Sequence, residues 1–323
     1  MWILSARRQS VKHRAKIGQN VVRIGIVRFA PFLDMRRRTK LTCFLLPVVM
    51  ALFLYSPRLV AAQDPVEQLR AESESEEDAI VAKQRLLIET ELAKRTNDEW
   101  SGEYYYGDGL GVNVTLLFGR AAGFVYTWTG CMGTYDQNYG AAQYEGNKLI
   151  LSPKLLAERK GVPSIPLEFY LVRWSSRHYL IPATDIINFA NHVNRGFEPR
   201  KSFYLSSFLL KKGEEKVRVA GFPQIPPEYS GYLLQRPINA EVVSVGRVKP
   251  LEYGRTFPIV ISVGWADGVK AGMEFDVYQP KNTFATAKVL KVDEHSSEAE
   301  VTQYNQDEAV PEPKWKLSTK PKY

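Results

Sequence analysis

Gly111-Val112-Asn113-Val114-Thr115-Leu116-Leu117-Phe118, followed after a short turn by Phe124, Tyr126 and Trp128, is the stretch that decides the fold. Val112, Val114, Leu116 and Phe118 fall on one face, and Phe124, Tyr126 and Trp128 alternate in the same way, the period of two that sends successive side chains to opposite faces of a strand. Residues 119–122 supply the turn between the two runs, so the pair reads as a β-hairpin. The same signals recur downstream. Tyr144 and Leu149-Ile150-Leu151 flank Glu145-Gly146-Asn147-Lys148, and residues 167–174 and 178–181 flank Ser175-Ser176-Arg177, which predicts two more hairpins. With residues 103–106 as a first strand, the segment amounts to about seven short antiparallel strands in chain order, the pattern of a meander or an up-and-down barrel.

This aromatic-rich antiparallel β domain spans residues 100–222, and 15 of the chain's 38 aromatic residues fall within 100–180, far above an even share. Thr184-Asp185 offers an N-cap for a helix over 186–194 that Gly196 ends, so one helix packs across or plugs the sheet. A further strand is expected over 203–210. Residues 223–236 form a proline-rich connector and a domain boundary.

A small β-barrel follows over 237–305, with strands expected at 239–245, 257–263, 273–278, 285–292 and 297–302, and a disordered tail over 306–323. Gly268 and Gly272 suit tight turns with positive φ ahead of a strand that alternates Phe275 and Val277 with Asp276 and Tyr278. Asp267-Gly268-Val269, Gly272-Met273 and the later Lys288-Val289-Leu290-Lys291-Val292 resemble the small β-barrel module of bacterial envelope assembly proteins such as flagellar assembly protein T and, more loosely, the rod-shape protein MreC. That resemblance covers about 65 residues, with Trp265 where a smaller polar residue is commoner. It implies a fold and an assembly role and carries no catalytic residue. The opening Trp100-Ser101-Gly102-Glu103-Tyr104 is loosely similar to that of lipocalin-like barrels.

Ahead of these domains, residues 63–99 read as an exposed acidic linker followed by one helix, with a partial apolar stripe at Ile80, Leu86, Leu87 and Leu92. The acids stand at its start and Lys94-Arg95 at its end, as the helix dipole favours. Further upstream, Met35-Arg36-Arg37-Arg38-Thr39-Lys40, the apolar residues 41–55 and Val60-Ala61-Ala62 give in order the three regions of a secretory signal peptide, cleaved after Ala62. The apolar run falls short of the ~20 residues that span a bilayer, so an uncleaved anchor is the alternative and the one membrane contact this reading allows. Residues 1–34 form an upstream extension, with Met35 as the expected start of translation. The product is periplasmic or secreted.

The formal charge of +8 suggests nucleic acid until it is located. Residues 1–62 hold twelve Lys or Arg and one acid, which leaves 31 bases against 34 acids beyond Ala62. Nucleic acid is therefore not an expected partner. Removal of Cys43 with the signal leaves Cys131 alone, so no intramolecular disulfide forms.

Few residues carry the signature of chemistry. Gly107-Asp108-Gly109-Leu110-Gly111 precedes a strand, whereas a phosphate-cradling loop opens a helix, so it reads as a β-turn. Cys131, in the loop 131–140, would need a histidine within ~3 Å to act as a nucleophile, and a buried structural thiol is the expected role. His178, His192 and His295 lie in separate elements without ligand spacing, so no metal, cofactor or catalytic residue is assigned. The aromatic residues Tyr104, Tyr126, Trp128, Tyr135, Tyr170 and Trp174 are the candidates for lining a cavity that takes a small apolar ligand. The favoured reading is a non-catalytic exported envelope protein acting as a binding or assembly module with an envelope protein partner. A lipocalin-like small-molecule binder comes second, and a cysteine-dependent enzyme using Cys131 third.

Overall fold

Two antiparallel β-barrels follow one another along the chain in a computed structural model that describes residues 65–94, 97–107, 109, 111–131, 133–154, 165–196, 208–278, 284–304 and 309–320, with 65–75 and 284 described by backbone alone. The expected signal peptide over 35–62 and the expected extension over 1–34 lie outside the described residues. None of the described helices is long and apolar enough to cross a membrane.

Helix α1 (Pro65–Ala93) begins ahead of the acidic run, so the segment expected as a linker is itself helical. Proline suits the first turn of a helix, and acids near its N-terminus meet the positive end of the dipole. The packing face also differs from the expected stripe. Val81 and Ile88 are buried with Leu92 against the barrel, whereas Ile80, Leu86 and Leu87 are exposed. Polar anchors set this rotation: the Glu91 carboxylate accepts hydrogen bonds from the Ala121 and Ala122 amides at 3.0 and 2.6 Å, and Gln137 Nε2 donates to Asp78 Oδ1 at 2.6 Å.

The first barrel contains β1 (Gly102–Tyr106), β2 (Asn113–Gly119), β3 (Gly123–Gly130), β4 (Gly133–Glu145), β5 (Lys148–Pro153), β6 (Glu168–Trp174), β7 (Arg177–Pro182) and β8 (Leu209–Lys211). Each strand pairs with its neighbours in sequence, and β8 returns to β1 through Tyr104↔Lys211 and Tyr105↔Leu210. In the register, Tyr104 stands opposite Leu116, Leu116 opposite Tyr126 and Phe118 opposite Phe124, so the parity of the hairpin projects these side chains into one interior. Leu117 and Val125 point outward and are nonetheless buried, because α1 covers them.

Helix α2 (Ile186–Arg195) ends at Gly196, whose φ of 76° provides the left-handed cap. It packs across the outside of the barrel: Ile186, Phe189 and Val193 join Tyr179, Ile181, Phe208 and Leu210 in a second apolar cluster. The connector after it holds to both sides. Tyr229 meets the Tyr170 ring at 5.8 Å between centroids, and the Tyr232 hydroxyl donates to the Ala271 carbonyl at 3.0 Å.

The second barrel contains β9 (Asn239–Val245), β11 (Gly254–Ile261), β12 (Glu274–Tyr278), β13 (Phe284–Val292), β14 (Ser297–Gln303) and β15 (Lys316–Ser318), closed in the order β11-β14-β13-β12-β15-β9 and back to β11. β10 (Lys249–Leu251) folds back on the first half of β11. Gly268 and Gly272 both take φ of 86°, as the turn signature requires. Two expectations change here. Six strands close the ring instead of five, and the sixth comes from the segment expected to be a disordered tail. Leu317 is 1% exposed, and β15 pairs with β9 on one side and β12 on the other, so hydrogen bonding and burial together order it.

Candidate functional site

An up-and-down barrel places alternate turns at opposite ends. The upper end, which carries the β2–β3, β4–β5 and β6–β7 turns, is closed by residues 97–101. The Asp98 carboxylate accepts hydrogen bonds from the Trp100 amide at 3.0 Å, Ser101 Oγ at 2.6 Å and the Tyr144 hydroxyl at 2.6 Å. Burial raises the pKa of Asp98, but these bonds together outweigh it and hold the carboxyl below its usual range. The Tyr104 hydroxyl donates to the Trp100 carbonyl at 2.8 Å, and burial followed by the nearby Glu214 charge pushes its pKa well up.

Next to this plug, His178 Nδ1 lies 2.8 Å from Glu214 Oε1, and the Glu214 carboxylate also accepts the His178 amide at 2.6 Å. The Trp100 ring stands edge-on to the imidazole at 4.8 Å. Arg173 pairs with Glu99, and Lys211 Nζ donates to the Glu99 carbonyl, with burial lowering the lysine pKa. The knot joins the N-terminal segment to β6, β7 and β8, with Arg173 paired to Glu99 and His178 to Glu214.

The six candidate aromatic residues divide between two faces. Tyr104 and Tyr126 are buried in the interior with Leu116, Phe118, Phe124, Leu149, Phe169, Leu180 and Leu209, and Trp128 joins them toward the lower end. Tyr135 is the extra residue of a bulge, since Trp128 pairs with Asp136 and Thr129 with Thr134; its ring meets Trp128 at 5.7 Å. Tyr170 and Trp174 face outward instead. Tyr170 stands against Tyr229, and Trp174 Nε1 donates to the Gly221 carbonyl at 3.0 Å. Both faces of β6 are buried, so its sequence has no alternation to reveal which residues point inward.

Cys131 is exposed at the tip of the β3–β4 hairpin, 3.8 Å from the Tyr135 hydroxyl, which corrects the expectation of a buried thiol: a tip residue has no covering element. That tip is at the lower end, whereas His178 begins β7 at the upper end. His192 is buried in α2 against Phe208, and His295 is exposed in a turn. Among the described residues, no group of three or more His, Cys, Asp or Glu is placed to hold a metal ion.

Two features escaped sequence reading. The first is the seam between the barrels, where Arg195 of α2 is 4% exposed and reaches Glu274 Oε2 at 2.9 Å, Asp276 Oδ1 at 3.0 Å and Thr286 Oγ1 at 3.2 Å. Asn191 adds a bond to the Gly272 carbonyl at 2.9 Å. Burial pushes the Asp276 carboxyl up while Arg195 opposes it, and burial, with the Arg195 charge second, drives the His192 imidazole down to about 4. The second is the hairpin of β10 and β11, which shows Leu251 46% and Tyr253 77% exposed beside Tyr304 at 72%. A terminal arginine and a scattered apolar trio give no local pattern, so only the three-dimensional placement brings out either feature. The chain matches no protein-family model, no curated protein and no solved structure, so its function is argued from this geometry.

Proposed function

We propose that the chain is an exported, non-catalytic binding or assembly module of the cell envelope and that the β10–β11 hairpin of its second barrel is the contact surface. One observation carries this reading. β10 pairs with β11 on one edge and ends the sheet on the other, and large apolar side chains stand exposed around it at Leu251, Tyr253 and Tyr304. Soluble proteins blunt such edges and seldom group exposed rings unless something covers them. The turn signature shared with envelope assembly modules and the signal-like residues 35–62 support the same reading. So does the upper end of the first barrel, where the charged groups are spent on closure.

The test is a photo-crosslinking amino acid placed at position 253 in cells, with the same probe at Glu145 on the exposed β4–β5 turn as control. A discrete adduct with an envelope protein from position 253 and none from position 145 is expected. No adduct at 253, or the same adducts from both sites, would remove the proposal.

The small-molecule reading stands second on a different observation: Trp128 Nε1 is buried toward the lower end of the first barrel with no hydrogen-bond partner among the described residues. A ligand bearing an acceptor would satisfy it. Titration of an apolar fluorescent probe against the chain and Trp128→Phe tests this, and equal response from both counts against it.

A further inference from the structure

The outer face of α1 is a surface that neither the barrel interior nor the β10–β11 hairpin uses. Val81 and Ile88 turn one side of the helix onto the first barrel. Polar contacts lock that rotation at both ends: Asp78 accepts from Gln137, Gln84 donates to the Ala122 carbonyl, and Glu91 accepts the Ala121 and Ala122 amides. At 3.6 residues per turn, Lys83, Leu86, Thr90 and Ala93 then fall opposite the buried stripe, with Ile80 and Leu87 on its flank. All of these are exposed, Leu86 by 63% and Leu87 by 51%. A lone exposed leucine needs no explanation, but three large aliphatic side chains within two turns of one helix, locked outward by the contacts on its other side, form a patch. Thr90 adds to its apolar character, because its hydroxyl is satisfied by the Leu86 carbonyl at 2.7 Å.

The charge along the helix selects what covers this face. Glu76, Glu77 and Asp78 stand at one end of the exposed stretch, with Glu72 and Glu74 ahead of them in the same helix, and Lys94 stands at the other. An anionic lipid surface is disfavoured by the acidic end. A second α1 laid parallel would set acids against acids, whereas an antiparallel one sets Lys94 of each copy against the acids of the other. With Leu86 and Leu87 at the crossing, residues equidistant from it meet. Leu86 then faces the second copy's Leu87, Lys83 faces its Thr90, Ile80 faces its Ala93, and Lys94 reaches the acidic run that ends at Asp78. A twofold axis makes each of these contacts twice.

We propose that the outer face of α1 is a homodimer interface, in which α1 of a second copy lies antiparallel across Leu86 and Leu87 and the first barrels of the two copies stand on opposite sides of the helix pair. The paired stretch, residues 79–94, is ~24 Å of helix. An interface this short belongs to the weak, reversible class that buries less than about 1,200 Å². The surface is separate from the β10–β11 hairpin, so either assignment can fail without the other.

The test is sedimentation equilibrium of the full chain over a wide range of concentration, with Cys131→Ser throughout to exclude disulfide-linked dimers. A monomer–dimer equilibrium is expected. Leu86→Asp combined with Leu87→Asp should leave only monomer, and an unchanged thermal melt verifies folding, since both side chains are exposed. Lys94→Glu should weaken dimerisation about tenfold at low salt, because the twofold doubles the loss of an exposed ion pair. Glu76→Lys added to Lys94→Glu should recover part of that loss, which a parallel pair could not do. Monomer at every concentration overturns the proposal, as does a dimer that survives the double aspartate change, and absence of the recovery overturns the antiparallel arrangement. Flotation with phosphatidylglycerol vesicles is the control. Vesicle binding without a dimer, lost in the double aspartate variant, would mark the face as a membrane surface and overturn the homodimer.

Discussion

The two barrels solve the same problem, closing a sheet, with opposite materials. Apart from the β8–β1 closure, the first pairs every strand with its neighbours in sequence, and it fills its eight-stranded interior with large rings at Tyr104, Phe118, Phe124 and Phe169. The second has six strands, and alanines at 240, 285, 287 and 299 stand among its valines and isoleucines. Barrel diameter grows with strand number, so a narrower ring has room for smaller side chains. Closure differs as well: β8, which follows α2, returns directly to β1, whereas β9 and β12 meet only through β15, about forty residues beyond β12. Both rings are completed by their last strand, but only the second inserts that strand between two that precede it.

The sharpest way to break this comparison is to delete residues 309–320. Two strand edges are exposed and the seat of Leu317 is emptied, a larger loss than the ~2–5 kcal/mol of one buried leucine truncation. The expected outcome is loss of amide-signal dispersion from the second barrel with the first barrel's pattern retained; a fully folded second barrel would contradict the role given to β15.

Arg195→Ala comes next. It leaves Glu274 and Asp276 buried without their shared partner, a loss of about 3–5 kcal/mol by analogy with broken buried ion pairs. Calorimetric melting should then resolve two transitions, one for each barrel, and a single unshifted transition would show that the seam does not couple them.

Acid should weaken the first barrel's outer wall. His192 has a folded pKa of about 4 against 6.5 in the unfolded chain, so the unfolded state binds more protons between those values. Stability from this group is full above pH 6.5 and falls as the pH drops, by about 2 kcal/mol at pH 5. Urea unfolding at pH 7 and pH 5 measures it, and His192→Gln should shrink the difference. Asp185 and Asp276, both raised by burial, act in the opposite sense, so the comparison with His192→Gln is what isolates the imidazole.

The smallest effect is expected from Glu91→Ala, which removes the acceptor of the Ala121 and Ala122 amides at a cost of about 1 kcal/mol. Hydrogen exchange at those two amides should speed up while that of Leu116 stays slow. Equal change at all three would mean that α1 is integral to the barrel core.

These contrasts explain how far the sequence could be read. The interior of the first barrel was legible where one side of a strand carries polar residues, as in Asn113 and Thr115 opposite Val114 and Leu116. It was not legible at Tyr170 and Trp174, because α2 and the connector bury the outer face of β6 and remove the alternation. The face of α1 was misread for a related reason. Ile80, Leu86 and Leu87 compete with Val81, Ile88 and Leu92, and the decision comes from Glu91 meeting amides thirty residues away. β15 offers one apolar residue in three, so nothing local announces it. The turn signature around Gly268 was visible, while the exposed Tyr304 comes from a separate segment to Leu251 and Tyr253 and forms no linear motif with them.

The late position of β15 also sets a timetable. A chain made from its N-terminus can close the first barrel once Lys211 has emerged, but the second must wait for Lys316–Ser318. At ~5–20 residues per second, that interval is on the order of 5–20 s. Glu274 and Asp276 emerge part-way through it, on a β12 that still lacks its β15 neighbour, so the face of the first barrel around Arg195 waits for the last strand to complete the barrel that covers it.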